Sequence, residues 1–278
     1  MNITDFEIYK DLLKEKSGLV LSAEKIYLIE SRLSPIAKKW NFDSLDVMTR
    51  VLKGVPDHKL VYDIIEAMTT NETSFFRDSR PFDLFTNFAL PHAMKHCASK
   101  KRLRIWCAAA SSGQEPYSVA MLLKERAAEL AGWNIEIIGT DISREILAQA
   151  STGSYSQFEV QRGLPIQLLM KYFTQDNNKW LISDSIKKMV KFQYFNLLDP
   201  MALLGVFDII LCRNVLIYFD NDDKKRILER MTKQMGDDAL LFLGGAESVF
   251  GVTDALKPLP GKHGIYAKPG NPLTNKQG

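Results

Sequence analysis

The stretch from Leu103 to Leu123, LRIWCAAASSGQEPYSVAMLL, decides how the rest of the chain is read. Its apolar run Leu103, Ile105, Trp106, Cys107 and Ala108 stops at Ala109-Ala110-Ser111-Ser112-Gly113, and helical spacing resumes at Tyr117, Ala120, Met121 and Leu122. That pattern predicts a buried strand, a tight turn of small residues and the start of a helix running from about 115 to 130. Pro116 suits a first helical turn, where its missing N–H would have been unpaired anyway. A strand that feeds a helix through such a turn is the nucleotide-holding element of open α/β sheets, whose ligands lodge outside the strand carboxyl ends. Only Gly113 in the turn is a glycine, so the dinucleotide pattern GxGxxG is absent. An enzyme that binds a nucleoside without phosphates is therefore expected, rather than a hydride-transfer enzyme gripping a pyrophosphate.

Downstream, Ile135 to Thr140 reads as a second strand ending at Asp141. An acid just past that strand is where ribose hydroxyls find their acceptor. Asp141 or Ser143 also suits the N-cap of a helix beginning before Ile146-Leu147, and the two roles are compatible. Residues 151 to 188 break the alternation with Gly153, Gly163 and Pro165, a helical piece over 164 to 173, and a polar turn Gln175-Asp176-Asn177-Asn178. A hairpin is expected to go out through Trp180-Leu181-Ile182 and back through Met189 to Phe192, with Phe192 to Phe195 rejoining the main sheet. The run Val206 to Cys212 is apolar enough for a strand buried on both faces, which aims Arg213, Asn214 and Tyr218 at the ligand crevice. A helix at 222 to 235, a strand at 239 to 243 and a last strand near 264 to 267 complete the sheet, and a polar tail at 270 to 278 is expected to be disordered.

Upstream, residues 3 to 68 carry only helical periodicity, broken at Ser17-Gly18, Trp40-Asn41 and Gly54-Val55-Pro56. This predicts a small all-helical domain over residues 1 to 70. Its second helix places Lys25, Arg32 and Lys39 seven apart, with Lys38 at the same end, either as a solvated face or as a stripe that meets a partner. The segment Thr70-Asn71-Glu72-Thr73-Ser74-Phe75-Phe76-Arg77-Asp78 sets an arginine beside two phenylalanines in a way that caps and turns do not explain, so it is read as site-forming. In the helix that follows, His92 and His96 stand four apart, but Ala93 occupies the place where a zinc protease has Glu and no third ligand is near in sequence. No metal is expected.

Bulk properties narrow the classes. The 278 residues, 46% hydrophobic and 25% charged, suit one sizeable α/β domain plus a smaller one and exclude disorder or a fibre. A net charge of +3, without a basic and aromatic patch, gives no reason to expect nucleic acid. Cys97, Cys107 and Cys212 have no CxxC spacing and read as buried thiols in a reducing compartment. The acidic, amphipathic start MNITDFEIYKDLLKE is no secretory signal, and no apolar stretch reaches membrane-spanning length, so a cytoplasmic protein without membrane insertion is expected.

Five motifs in order, NETSFFRD at 71 to 78, RIWCAAASSGQEPYS at 104 to 118, GTDIS at 139 to 143, NLLD at 196 to 199 and CRNVLIYFD at 212 to 220, resemble the CheR family over nearly the whole chain. That family comprises S-adenosylmethionine-dependent methyltransferases that esterify glutamates on bacterial chemoreceptors. The resemblance implies a Rossmann-like class I methyltransferase sheet of α/β type over residues 103 to 269. A small N-terminal all-helical domain would contact the receptor, a linker segment at 71 to 102 would contribute to the cofactor site, and a small antiparallel β insertion would span about 153 to 192. It further implies that Asn71, Thr73, Arg77, Glu115, Asp141, Asn196, Leu197, Arg213 and Asn214 line the pocket for S-adenosylmethionine and its product S-adenosylhomocysteine. Arg77 and Tyr218 would stand nearest the transferred methyl, and Glu115, also a favourable acid for a first helical turn, would accept from the methionine ammonium. The implied partners are the acidic helices of a chemoreceptor cytoplasmic domain and, for some members, a receptor C-terminal peptide held by the insertion. A monomer is expected. A non-catalytic S-adenosylmethionine-sensing adaptor is the alternative, against which intact Arg77 and Tyr218 argue.

Overall fold

The apolar run of the central motif does form a strand, and the sheet grows on both sides of it. In this computed structural model, which describes residues 3–275, the strands are β1 (Arg102–Ala108), β2 (Asn134–Asp141), β3 (Ser154–Ser156), β4 (Phe173–Asp176), β5 (Lys179–Ile182), β6 (Val190–Tyr194), β7 (Phe207–Cys212), β8 (Met235–Leu243), β9 (Lys257–Pro258) and β10 (Ile265–Ala267). Seven of them make one sheet in the order β6-β2-β1-β7-β8-β10-β9. The five from β6 to β8 are parallel, while β10 runs antiparallel to β8. Chain order reverses between β1 and β7, so the crevice outside their carboxyl ends is the switch point where such sheets hold ligands.

Burial explains why these segments are strands. From Ile105 to Ala108 on β1 and from Ile209 to Cys212 on β7, every residue is buried, as expected of strands covered on both faces. Trp106 is fully buried, stacks on Phe207 with centroids 5.4 Å apart and donates from Nε1 to the Thr140 hydroxyl at 2.9 Å, so its one polar atom is satisfied. Cys107 and Cys212 are buried free thiols, and Cys97 is half-buried.

The insertion differs from the expected hairpin. β4 and β5 form the hairpin, pairing Phe173 with Ile182 and Asp176 with Lys179 around Asn177, whose φ of 52° suits an asparagine in a tight turn. β3 adds to the other side of β5, giving a three-stranded sheet in the order β3-β5-β4. The Met189–Phe192 run does not return along 180 to 182. From Val190 onward it is β6, parallel to β2 with Val190 opposite Ile137, where Val190 is buried and Met189 and Phe192 pack partly buried against the core. The helix after the central turn, Gln114–Glu125, stops earlier than the expected 130, and residues beyond it turn. Residues 271–275, expected in the disordered tail, form a turn in which buried Asn271 donates from Nδ2 to the Asp237 carbonyl. The rest of that tail, 276–278, lies outside the described residues.

By its internal contacts the chain divides into two units, one of residues up to Thr70 with Tyr218–Asp223, the other of Asn71–Ile217 with Lys224 onward. The first unit holds four helices, α1 (Ile3–Ser17), α2 (Ile26–Lys39), α3 (Leu45–Leu52) and α4 (His58–Met68). Their apolar stripes meet at Tyr9, Leu13, Ile29, Leu33, Met48, Leu60 and Ile64, all essentially inaccessible. Ser44 and Asp57 cap α3 and α4 by accepting from Val47 and Lys59 N–H. The α2 stripe is not a uniform free face. Arg32 donates to the Met68 carbonyl at the end of α4 at 2.9 Å, and Lys39 pairs with Asp63 at 2.8 Å, whereas Lys25 and Lys38 are exposed. No helix among the described residues is long and apolar enough to cross a membrane.

Candidate active site

The carboxyl ends of β1, β2, β6 and β7 lie side by side, and the segments that leave them carry most of the residues singled out from the sequence. After β1 the backbone turns through Ala109 (φ 57°), Ser111 (φ 50°) and Gly113 (φ 90°). A Cβ on Gly113 would lie 3.0 to 3.1 Å from Phe192, Ala150 and Tyr117, so glycine is needed there for space as well as for its conformation. Tyr155 holds the turn from outside by donating to the Ser112 carbonyl at 2.8 Å.

Asp141 ends β2 and is buried. One carboxylate oxygen accepts from Ser111 N–H at 2.8 Å and the other from Ser143 N–H at 3.0 Å, which ties the β1 turn to the β2 end. Ser143, not Asp141, is the N-cap of the following helix, accepting from Ile146 N–H. An acid at this position, at the end of the second strand, is where a ribose hydroxyl would find its acceptor. Asn196 and Leu197, both buried, follow β6, and Phe195 N–H donates to the Asp141 carbonyl, so the two segments leave the sheet together.

Arg213 leaves β7 with a side chain only 1% exposed. Its Nη1 donates to Glu115 at 2.8 Å, and its Nη2 donates to the Arg77 carbonyl at 2.8 Å and to Asp78 at 2.9 Å. Nε is buried with no hydrogen-bond partner. An unspent donor on a buried guanidinium is a place for an anionic ligand group, since an unmet charged donor is costly to bury. Burial pushes the Glu115 carboxyl above its usual value, and the Arg213 charge pulls it back.

The segment at 71 to 78 is bound into the same unit. Ser111 Oγ donates to the Asn71 carbonyl, Phe76 N–H donates to Ser118 Oγ, and Arg77 Nη1 donates to the Glu72 carbonyl. Glu72 pairs with Arg162 at 2.6 Å, and Thr73 is half-buried. Phe76, Asp78 and Ser79 all have positive φ. Of the nine non-glycine residues with positive φ among the described residues, six fall in the segments just described or at Asn214: Phe76, Asp78, Ser79, Ala109, Ser111 and Asn214. Each such conformation costs on the order of 1 to 3 kcal/mol, and strain of this kind gathers where a ligand is held.

Sequence reading missed the residue that holds Asn214. Glu247, buried after β8, accepts from Asn214 and Gly244 N–H with one oxygen at 2.8 and 2.6 Å, and from Val215 and Leu216 N–H with the other at 2.9 and 2.7 Å. Four backbone donors on one carboxylate fix the loop that follows Arg213. A Cβ on Gly244 would meet Glu247 Oε2 at 2.7 Å and Asn214 N at 2.8 Å, which is why glycine stands there. The available signal was an acid four residues beyond the end of a buried strand, in Gly244-Gly245-Ala246-Glu247. Asp78 lies in the segment read as site-forming, but its pairing with Arg213 was not foreseen. Tyr218, expected near the methyl, belongs to the helical unit, where its carbonyl accepts from Val20 N–H at 3.0 Å.

Comparison with known proteins finds relatives over nearly the whole chain. The model for the CheR methyltransferase, SAM binding domain, matches residues 71–265, and that for the CheR methyltransferase, all-alpha domain, matches residues 4–69. A chemotaxis protein methyltransferase of Pseudomonas putida is 38% identical over 254 residues, covering 90% of this chain and 92% of its own. One from Vibrio parahaemolyticus is 37% identical over 274 residues, covering 96% and 98%. With a mainly parallel sheet whose switch point lies beside Arg213, Glu115 and Asp141, and matched by the two domain models over residues 4–69 and 71–265, the chain belongs to the CheR family of S-adenosylmethionine-dependent methyltransferases.

Proposed function

We propose that this enzyme transfers the methyl group of S-adenosylmethionine to glutamate side-chain carboxylates on the acidic cytoplasmic helices of chemoreceptors, forming methyl esters. The observation that carries the reading is the buried Arg213–Glu115 pair with its unspent Nε donor, beside Asp141 at the switch point. When bound, S-adenosylmethionine supplies an already activated sulfonium methyl. Asp141 accepts from the ribose hydroxyls, Glu115 from the methionine ammonium, and Arg213 Nε faces the methionine carboxylate. Asn71, Thr73, Asn196, Leu197 and Asn214 complete the wall.

A glutamate carboxylate is a competent nucleophile at neutral pH, so the chain needs no strong base. Its task is in-line positioning and exclusion of water. Charge is annihilated in the transfer, so a drier pocket favours the transition state over the separated ions. Arg77 and Tyr218, carried from the family motifs, orient the acceptor carboxylate. A tight guanidinium pairing would blunt its nucleophilicity, so Arg77 steers it without neutralising it.

The helical domain meets the receptor, the enzyme works as a monomer in the cytoplasm, and the exposed edges of the three-stranded sheet, β3 and β4, suit strand addition by a receptor C-terminal peptide. Incubation with methyl-labelled cofactor and receptor cytoplasmic fragments tests the reading. Label on the receptor, suppressed by excess S-adenosylhomocysteine, supports it; binding of the cofactor with no transfer to any fragment leaves a sensor in its place.

A further inference from the structure

We propose that His92, His96 and Asp238 form a site for one divalent late transition metal, of the zinc, nickel or copper class, at the amino end of β8. The site lies at the opposite end of the strand from the methyl-transfer crevice. The sequence offered two imidazoles and no third ligand; the fold supplies the third. One ligand atom from each of the three residues lies within 4.8 Å of the others.

The two imidazoles stand four apart on the helical run that follows Pro81, which puts both on one face, with ring centroids 4.4 Å apart. Asp238 reaches them from β8, its Oδ2 lying 3.0 Å from His96 Nδ1. With metal bonds of about 2.1 Å to each, that separation subtends roughly 90° at the metal, the angle between neighbouring ligands of an octahedral centre. A shift of roughly 1 Å in half-exposed side chains brings the trio onto one ion, and their exposure leaves room for water to fill the other positions.

The His92 ring is already held. Its Nε2 lies 2.9 Å from the Asp238 carbonyl, and Phe88 stacks on it at 6.3 Å and 14°. With Nδ1 as the ligating atom, Nε2–H donates to this carbonyl, the kind of partner that fixes the tautomer and orientation of a metal-bound imidazole. Two nitrogens and one oxygen favour zinc, nickel or copper over magnesium and calcium, which prefer all-oxygen shells. A bound ion would tie the helix to β8, adding to stability by mass action.

The test uses the full chain, stripped of metal with a chelator and titrated calorimetrically with ZnCl2, NiCl2 and, as the hard-ion control, MgCl2. The expected result is one Zn2+ or Ni2+ per chain, no response to Mg2+, and a Tm that rises by about 5 °C at a hundredfold excess over Kd. His96→Ala and Asp238→Asn, both at half-exposed positions that the core does not need, should each weaken binding at least tenfold while leaving methyl transfer unchanged. Cobalt substitution should give visible bands without thiolate charge transfer. Binding retained in both variants, an equal response to Mg2+, or a thiolate band from neighbouring Cys97 would overturn the assignment.

Discussion

The Glu115 carboxylate and the Arg213 guanidinium meet at 2.8 Å, the first from the helix that follows β1 and the second from the end of β7, with the arginine side chain 1% exposed. The pair joins the two strands at which chain order reverses, and it stands against a burial cost, since desolvation raises the Glu115 pKa more than Arg213 lowers it. The folded state therefore binds more protons than the unfolded chain above the usual value of 4.5. This contribution to stability is full below that value and is lost as pH rises through the raised folded-state value. Glu115→Gln should remove this part of the slope in a Tm–pH profile. It should also weaken S-adenosylmethionine binding by about 1 to 3 kcal/mol, because the ammonium loses a charged acceptor. A variant with wild-type affinity would show that Glu115 serves only to pair Arg213.

Glu247 touches neither ribose nor methionine in this account, yet it holds Asn214 and the two residues after it. Glu247→Gln replaces one acceptor oxygen with an N–H2 group that must face backbone N–H donors, leaving two of the four bonds unmade. A loss of about 2 to 4 kcal/mol in stability is expected, and at temperatures where the variant is folded, kcat should fall more than cofactor affinity. Equal losses in both would point to general unfolding.

Asp141→Ala should weaken S-adenosylmethionine and S-adenosylhomocysteine by about 1 to 3 kcal/mol. It also strands the Ser111 and Ser143 N–H groups, so Tm should drop as well. Asp141→Asn keeps an acceptor and separates the two effects. Calorimetry showing unchanged affinity in both variants would contradict the ribose assignment.

The basic residues of α2, and Lys25, which caps it, divide by what they touch. Lys25→Glu with Lys38→Glu should lower kcat/KM for an acidic receptor fragment, with unchanged Tm and cofactor affinity, and the defect should shrink as salt is raised. Arg32→Glu should instead destabilise the helical domain, because it puts a carboxylate against the Met68 carbonyl. A salt-independent loss in the lysine pair would make that face merely solvated.

Much of this was legible because it rests on local pattern. The buried runs of β1 and β7 announce strands covered on both faces, the small-residue turn announces a close approach to a ligand, and four apolar stripes announce four helices. The parts that escaped depend on contacts distant in sequence. Met189–Phe192 looks the same whether it turns back on 180–182 or lies against β2; the burial of Val190 opposite Ile137 decides it. Arg32 and Lys39 fit a free basic face until α4 brings Met68 and Asp63 to them. Glu247 is one acid among many until four N–H groups converge on it, and Asp238 becomes a neighbour of His92 and His96 only because β8 passes that helix.

The glutamate ester is the central claim, and its chemistry gives the most direct measurement. Receptor cytoplasmic fragments are labelled with methyl-labelled S-adenosylmethionine, then treated with mild alkali, and volatile methanol is counted. The account predicts that nearly all of the label leaves as methanol, and that changing the acceptor glutamates to alanine abolishes it. Label that stays on the protein through alkali, as on a methylated nitrogen, would contradict it.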